Sequence, residues 1–225
     1  MTKKYLIDGL KKVMKPYLDE HGISIKQNGS IVKSDDDLRC QIMFNFNNYG
    51  TIEIQAVFTL LRYNHLEKAV IDIVYNGEVD EVTLQPYSAK YIKERYEFIE
   101  TMSGPIFKGE KVKFFVDEQI DLLVEFLIEF IEQQVKPFCE KYPDIYSISP
   151  EFYKYDPPYQ EGVGYVGLFE EYLGNLNKYQ GDYTSWIIRR LLLLKFTGDP
   201  KYDDYMKWIQ DLEIILIRII FINYM

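Results

Sequence analysis

The stretch Ile52-Glu53-Ile54-Gln55-Ala56-Val57-Phe58-Thr59-Leu60 alternates apolar and polar or small residues with a period of two. Alternation at that period is the signature of a strand with one buried face. It predicts that Ile52, Ile54, Ala56, Phe58 and Leu60 share the buried face. Upstream, Leu38, Cys40, Ile42, Phe44 and Phe46 alternate in the same way, and Asn47-Asn48-Tyr49-Gly50 forms the turn between the two runs. Further upstream, Asn28-Gly29 joins two short strands, Ile23 to Lys26 and Ser30 to Lys33, and Asp35-Asp36-Asp37 marks another turn. Downstream, Val70-Ile71-Asp72-Ile73-Val74-Tyr75 reads as a β-branched strand that Asn76-Gly77 turns into a second one, Val79 to Gln85. Together these spacings predict an antiparallel meander, not alternating βαβ units.

Helices flank the meander. Tyr5, Leu6, Leu10, Val13, Met14, Tyr17 and Leu18 recur at helical spacing, which predicts a helix from about Thr2 to Glu20 that stops at Gly22. A helix over Tyr87 to Thr101 ends at Gly104-Pro105, and Lys111 to Val116 forms a short strand. Ile120, Leu123, Val124, Leu127, Ile128, Ile131 and Val135 make a long apolar stripe, opposite Asp121, Glu125, Glu129 and Glu132. Pro137 ends or kinks this helix. Residues Tyr142 to Gln160, with four prolines and five tyrosines, read as a long irregular connection. Helices follow around Leu168 to Leu176, Tyr183 to Phe196 and Tyr202 to about Ile217. Gly181-Asp182 and Gly198-Asp199 offer matched stop and start signals for the last two. The fold expected is α+β: an N-terminal helix and an antiparallel β-sheet packed with a long helix, followed by a helical C-terminal region. Its divisions are 1–142, a Tyr/Pro-rich acidic loop at 143–161, and 162–225, or one continuous domain.

Composition narrows the function. The chain has 225 residues, 26 Lys plus Arg and 35 Asp plus Glu, for a formal charge of −9. From Asp117 to Glu161 eleven acids face three bases, Lys136, Lys141 and Lys154, a net of −8. Such a chain is poorly equipped to neutralise phosphates, which argues against nucleic acid as a partner. The segment is either a solvated face or a docking surface for a basic partner. The first residues lack the continuous apolar core of a secretion signal, and the longest apolar run, Ile214 to Ile222, is too short to span a membrane. A cytoplasmic, non-membrane protein is expected.

The chemistry-bearing motifs are few. Gly162-Val163-Gly164-Tyr165-Val166-Gly167 fits G-x-G-x-x-G, but Pro157-Pro158 stands where a dinucleotide site needs a strand. It reads as a loop. Cys40 and Cys139 share no zinc-type spacing and read as two buried thiols or one lone disulfide. His21 reads as a cation at a helix C-terminus. His65, after a strand, is the one candidate general base. Asp35, Asp36 and Asp37 lack the rest of a calcium loop. No catalytic, cofactor or metal residues are assigned. Tyrosine, with 20 copies, is the unusual count. It is a residue suited to interfaces.

Several short motifs resemble the bacterial domain-of-unknown-function family 4304, small α+β proteins often met near toxin and immunity genes. Pro16-Tyr17-Leu18 with Gly22 is similar to the end of the family's first helix, with Ile23 where Phe is usual. Pro137-Phe138, Tyr142-Pro143-Asp144 and Gly181-Asp182-Tyr183 are similar to later family motifs. The resemblance implies an immunity-protein-like role and no catalytic residues. The function expected is a non-enzymatic protein-binding module, of an immunity type that blocks a basic toxin or effector. Glu125, Glu129 and Glu132 would steer the partner. Tyr153, Tyr155 and Tyr159, flanked by Glu151, Asp156 and Glu161, would anchor it. The alternative is an enzyme of unassigned class with a His/carboxylate site.

Overall fold

The structure is a computed structural model, and it describes residues 3–48, 52–75, 100–108, 114–115, 120–166 and 183–211. The protein is α+β, with an antiparallel sheet and a helical C-terminal region. Its contacts divide it into two compact units, Met1–Asn64 with Glu100–Pro143, and His65–Ile99 with Asp144–Met225. This division runs differently from the one expected, because each unit takes two separate stretches of chain.

The first unit opens with α1 (Lys3–Val13) and α2 (Lys15–His21). Pro16 sits at the start of α2, and Gly22 closes it in the left-handed conformation at φ 62°, the backbone state that glycine adopts at least cost. The sheet follows with β1 (Ile23–Ile25), β2 (Ile31–Ser34), β3 (Leu38–Asn48), β4 (Ile52–Tyr63), β5 (Met102–Lys108) and β6 (Phe114–Phe115). Strands β1 to β5 lie in sequence order, each antiparallel to the next, and β6 pairs with β4 at Glu53 and Ile54.

The alternation that predicted β4 is interrupted in the fold. Asn45 pairs with Ala56 but Phe46 pairs with Ile54, so Gln55 is an extra residue, a β-bulge. Beyond it the buried phase changes: Val57, Thr59, Leu61 and Tyr63 are fully buried, while Phe58 and Leu60 are only half-buried. Expected core positions thus move by one residue past the bulge, because the side-chain period is two and one insertion exchanges the faces. A second irregularity faces Thr59, where β5 inserts Gly104-Pro105 between Ser103 and Ile106. These two residues lie inside a strand and do not end a helix. Proline brings no N–H to a ladder and is tolerated where the ladder is already broken. Gly104 also lets the Phe138 ring approach, since a Cβ there would lie 2.6 Å from Phe138 Cε1.

The long helix appears as α4 (Ile120–Phe130), a π-helical turn (Ile131–Val135) and α5 (Lys136–Lys141). Leu123, Val124, Leu127, Ile131 and Val135 of the predicted stripe are buried along it, Ile120 and Ile128 are half-buried, and Phe130, outside the stripe, is buried as well. Pro137 falls in the first turn of α5, where its missing N–H costs least. Helix α1 packs against α4, so closely that a Cβ on Gly9 would lie 2.3 Å from Ile120 Cδ1.

The second unit contains α3 (Asn64–Tyr75), α6 (Ile145–Tyr153), a hairpin of β7 (Tyr159–Gln160) and β8 (Gly164–Tyr165), α7 (Tyr183–Thr197) and α8 (Tyr202–Asp211). Two expectations are corrected here. Val70 to Tyr75 is helix, not strand, because the periodicity begins upstream. Leu66, Val70 and Val74 are buried one turn apart, and Lys68 meets Asp72 across a turn at 2.5 Å. Tyr142 to Gln160 is not one long irregular connection. Asp144 accepts from Ser147 N at 2.8 Å and the Ser147 hydroxyl faces Asp144 N at 3.2 Å, a reciprocal cap that starts α6. Pro150 lies inside that helix. The Asn76-Gly77 turn, the strand from Val79, residues 87–99 of the expected helix, the helix from Leu168, Gly181-Asp182 and the apolar run Ile214 to Ile222 lie outside the described residues. Among the described residues no helix is long and apolar enough to cross a membrane.

Candidate functional site

Three sets of side chains carry the chemistry, and each lies within one unit. The first is the acidic edge of the long helix. Asp121, Glu125 and Glu129 recur every four residues on α4, are exposed, and make no ion pair with any described residue. Glu132 lies on the same edge but is engaged. Its Oε1 accepts from Tyr17 Oη at 2.6 Å and from Lys136 Nζ at 2.5 Å, and His21 Nε2 lies 3.6 Å away. The hydrogen bonds from Lys136 and Tyr17 hold its carboxyl below the usual carboxylate range. His21 does stand at the C-terminus of α2, with its ring edge-on to Tyr17 at 4.4 Å.

The second set is the tyrosine group of the other unit. Tyr153 Oη donates to Asp199 Oδ2, Tyr159 Oη to Asp204 Oδ2 at 2.7 Å, and Tyr165 Oη to Asp156 Oδ2 at 3.2 Å. Arg190 is fully buried, forms a two-pronged pair with Asp156 through Nε and Nη2, and stacks its guanidinium over the Tyr153 ring at 4.1 Å. Lys201 Nζ lies over the Tyr159 ring at 4.4 Å. Asp156 is therefore neutralised from within. Tyr155 turns its ring edge-on to Trp186, and Glu151 pairs with Lys154. Glu161 is exposed beside the hairpin turn. The rings of Tyr153 and Tyr159 remain exposed by more than a third. A second two-pronged pair, Arg189 with Glu67 at 2.6 and 2.8 Å, is buried in the same unit.

The glycine motif belongs to this group structurally. Gly162 and Gly164 take φ 77° and 100° and turn β7 into β8, with Val163 N donating to Gln160 O at 3.1 Å. The turn packs Gly164 against Asp204, 3.5 Å from where a Cβ would be. His65 lies in the first turn of α3, exposed, with its ring 5.0 Å from that of Phe196.

The third set was not singled out from the sequence. A cleft of about 320 Å³ in the first unit is lined by both cysteines, by Lys33 and by aliphatic side chains of the sheet and the π-helical turn. The register explains the grouping: Ile23 pairs with Lys33, and Lys33 with Cys40, which sets Lys33 directly beside Cys40 on the sheet. Ile131, Val135 and Cys139, spaced by four, cover that face. Both cysteines are free thiols, Cys40 buried and Cys139 half-buried. The approach of the Cys40 thiol as a hydrogen-bonding neighbour lowers the Cys139 thiol, against burial and with help from Lys33. The same approach, together with burial, raises Cys40. No spacing motif joins residues that are a hundred positions apart, so only the alternation that buries Cys40 hinted at this site.

Among the described residues no group of three or more His, Cys, Asp and Glu side chains is arranged to hold a metal ion. No family model matches this chain, and no curated protein or solved structure matches it either.

Proposed function

We propose that this protein is a non-enzymatic binding module whose partner is a basic protein. The observation that carries this reading is the row Asp121, Glu125 and Glu129, exposed and without cationic partners among the described residues. Like charges one turn apart weaken a helix by a few tenths of a kcal/mol. A face that keeps three of them in solvent has an electrostatic field to offer a cationic surface. In its concrete form the partner is a toxin or effector with a basic active surface, bound in the cytoplasm and blocked by occlusion. The resemblance of the chain's short motifs to those of family 4304 favours this immunity-type version. The exposed rings of Tyr153 and Tyr159 supply anchoring area in the second unit, while their phenols stay bonded to aspartates.

The test is association kinetics with the basic protein captured from host lysate at low salt. Asp121→Asn, Glu125→Gln and Glu129→Gln together should lower the on-rate at low ionic strength by about tenfold. The difference should close at about 0.5 M salt, where screening is nearly complete. Tyr153→Ala and Tyr159→Ala should raise the off-rate instead. A wild-type on-rate that ignores salt overturns the reading.

A further inference from the structure

The cleft of the first unit holds chemistry that partner binding does not use. Two free thiols line one cleft together with Lys33: Cys139, half-buried, on α5, and Cys40, buried, on β3 beside Lys33. A thiolate with a cation nearby and a second thiol in reach is the minimum equipment for reversible two-electron oxidation. Aliphatic side chains, Ile31, Ile42, Ile131 and Val135 among them, supply an apolar wall beside the polar groups, and the volume fits the lower end of small-molecule sites. One wall is a π-helical turn, a rare feature that recurs at functional sites.

We propose that Cys139 is a nucleophilic thiol and Cys40 its resolving partner, and that the substrate class is an organic hydroperoxide with an apolar tail. The Cys139 thiolate attacks the terminal peroxide oxygen. An S–O bond forms, the O–O bond breaks, and the alkoxide leaves and takes a proton from water. Sulfur loses two electrons to give a sulfenic acid, and the hydroperoxide is reduced to its alcohol. The Cys40 thiol then attacks the sulfenic sulfur. An S–S bond forms, and hydroxide leaves with the proton that Cys40 gives up, as water. Two equivalents of a small soluble thiol restore both cysteines and become its disulfide. Lys33 is a positioning residue that favours the thiolate. Asp35 and Glu140 oppose it in the same cleft, and His21 and Lys136 complete its titratable lining.

The full chain is treated with cumene hydroperoxide and, separately, with hydrogen peroxide, and followed by intact mass and by a sulfenic-acid trap. Wild type should lose two hydrogens and yield a Cys40–Cys139 cross-linked peptide. Cys40→Ser should stop at a trapped sulfenic acid on Cys139. Cys139→Ser should stay unchanged over the same time. Cumene hydroperoxide should react several-fold faster than hydrogen peroxide, and equal rates overturn the substrate class. Lys33→Gln should slow the wild-type reaction several-fold near pH 7, and the gap should close at about pH 10, where the thiol ionises without help. Equal slowing at both values overturns its role. Oxidation of Cys139→Ser as fast as that of Cys40→Ser, or a wild-type product without the internal cross-link, overturns the proposal. Should either serine variant fail to fold, limiting alkylation of the wild type decides, with Cys139 labelled first as expected and Cys40 first as the contrary result.

Discussion

The acidic edge of α4 and the tyrosine group of the second unit are built from the same kinds of residue and end in opposite states. On α4 the acids stand in solvent, whereas Glu132, in the π-helical turn that follows, has Lys136 of α5 and His21 of α2 beside it. In the second unit three aspartates near the tyrosines have partners: Asp156 has Arg190 and Tyr165, Asp199 has Tyr153, and Asp204 has Tyr159. The difference is one of sequence distance. The carboxylates of α4 are exposed and meet no cation among the described residues, whereas Tyr153 and Tyr159 meet aspartates about 45 residues later. An acidic, tyrosine-rich composition therefore does not decide between a binding face and an internal network. What decides is whether the fold brings complementary groups alongside.

The comparison is sharpened most by the buried arginines. Glu67→Ala leaves Arg189 charged and buried, and Asp156→Ala does the same to Arg190. Each should cost about 3–5 kcal/mol in urea unfolding, because a stranded buried charge loses its pair without regaining water. A loss below about 1 kcal/mol for Asp156→Ala would return that residue to the surface set. Next come Tyr153→Phe and Tyr159→Phe, which delete only the phenol donors; Tyr153→Phe should cost about 1 kcal/mol by the same measurement, and Tyr159→Phe, at an exposed phenol, should cost less. Unchanged stability would free both tyrosines to act purely as anchors. The triple neutralisation on α4 should leave stability within about 0.5 kcal/mol of wild type, since those acids make no ion pair among the described residues.

The smallest effect should be that of Glu132→Gln, and it should depend on pH. The folded state holds this carboxyl below its usual value, so the unfolded state binds the proton first. Its contribution is then present above the unfolded carboxylate value and lost as pH falls through the folded one. Wild type and variant should differ at neutral pH and converge in acid, and a constant gap across that range would contradict the ion pair. The effect is small because the group is half-exposed and screened by water.

Local pattern was legible wherever one face of an element meets one environment. The Ile120–Val135 stripe, the stop at Gly22, the Asn28-Gly29 turn, and the helices from Tyr183 and Tyr202 are all present. It was misleading where β-branched residues suit either element, as at Val70 to Tyr75, and where proline density hid the Asp144/Ser147 cap. The aspartate partners of the tyrosines were not legible, since no local signal links Tyr159 to Asp204.

The sequence by itself determined the α+β class, the apolar stripe of the long helix and the run of acid between Asp117 and Glu161, because periodicity, turn chemistry and charge are properties of neighbours along the chain. Only the tertiary structure decided the bulge at Gln55 that exchanges the faces of β4, the internal pairing of Asp156, and the meeting of Cys40, Cys139 and Lys33 in one cleft. Those depend on strand register and on packing between distant segments, where a shift of one residue changes which side chains meet.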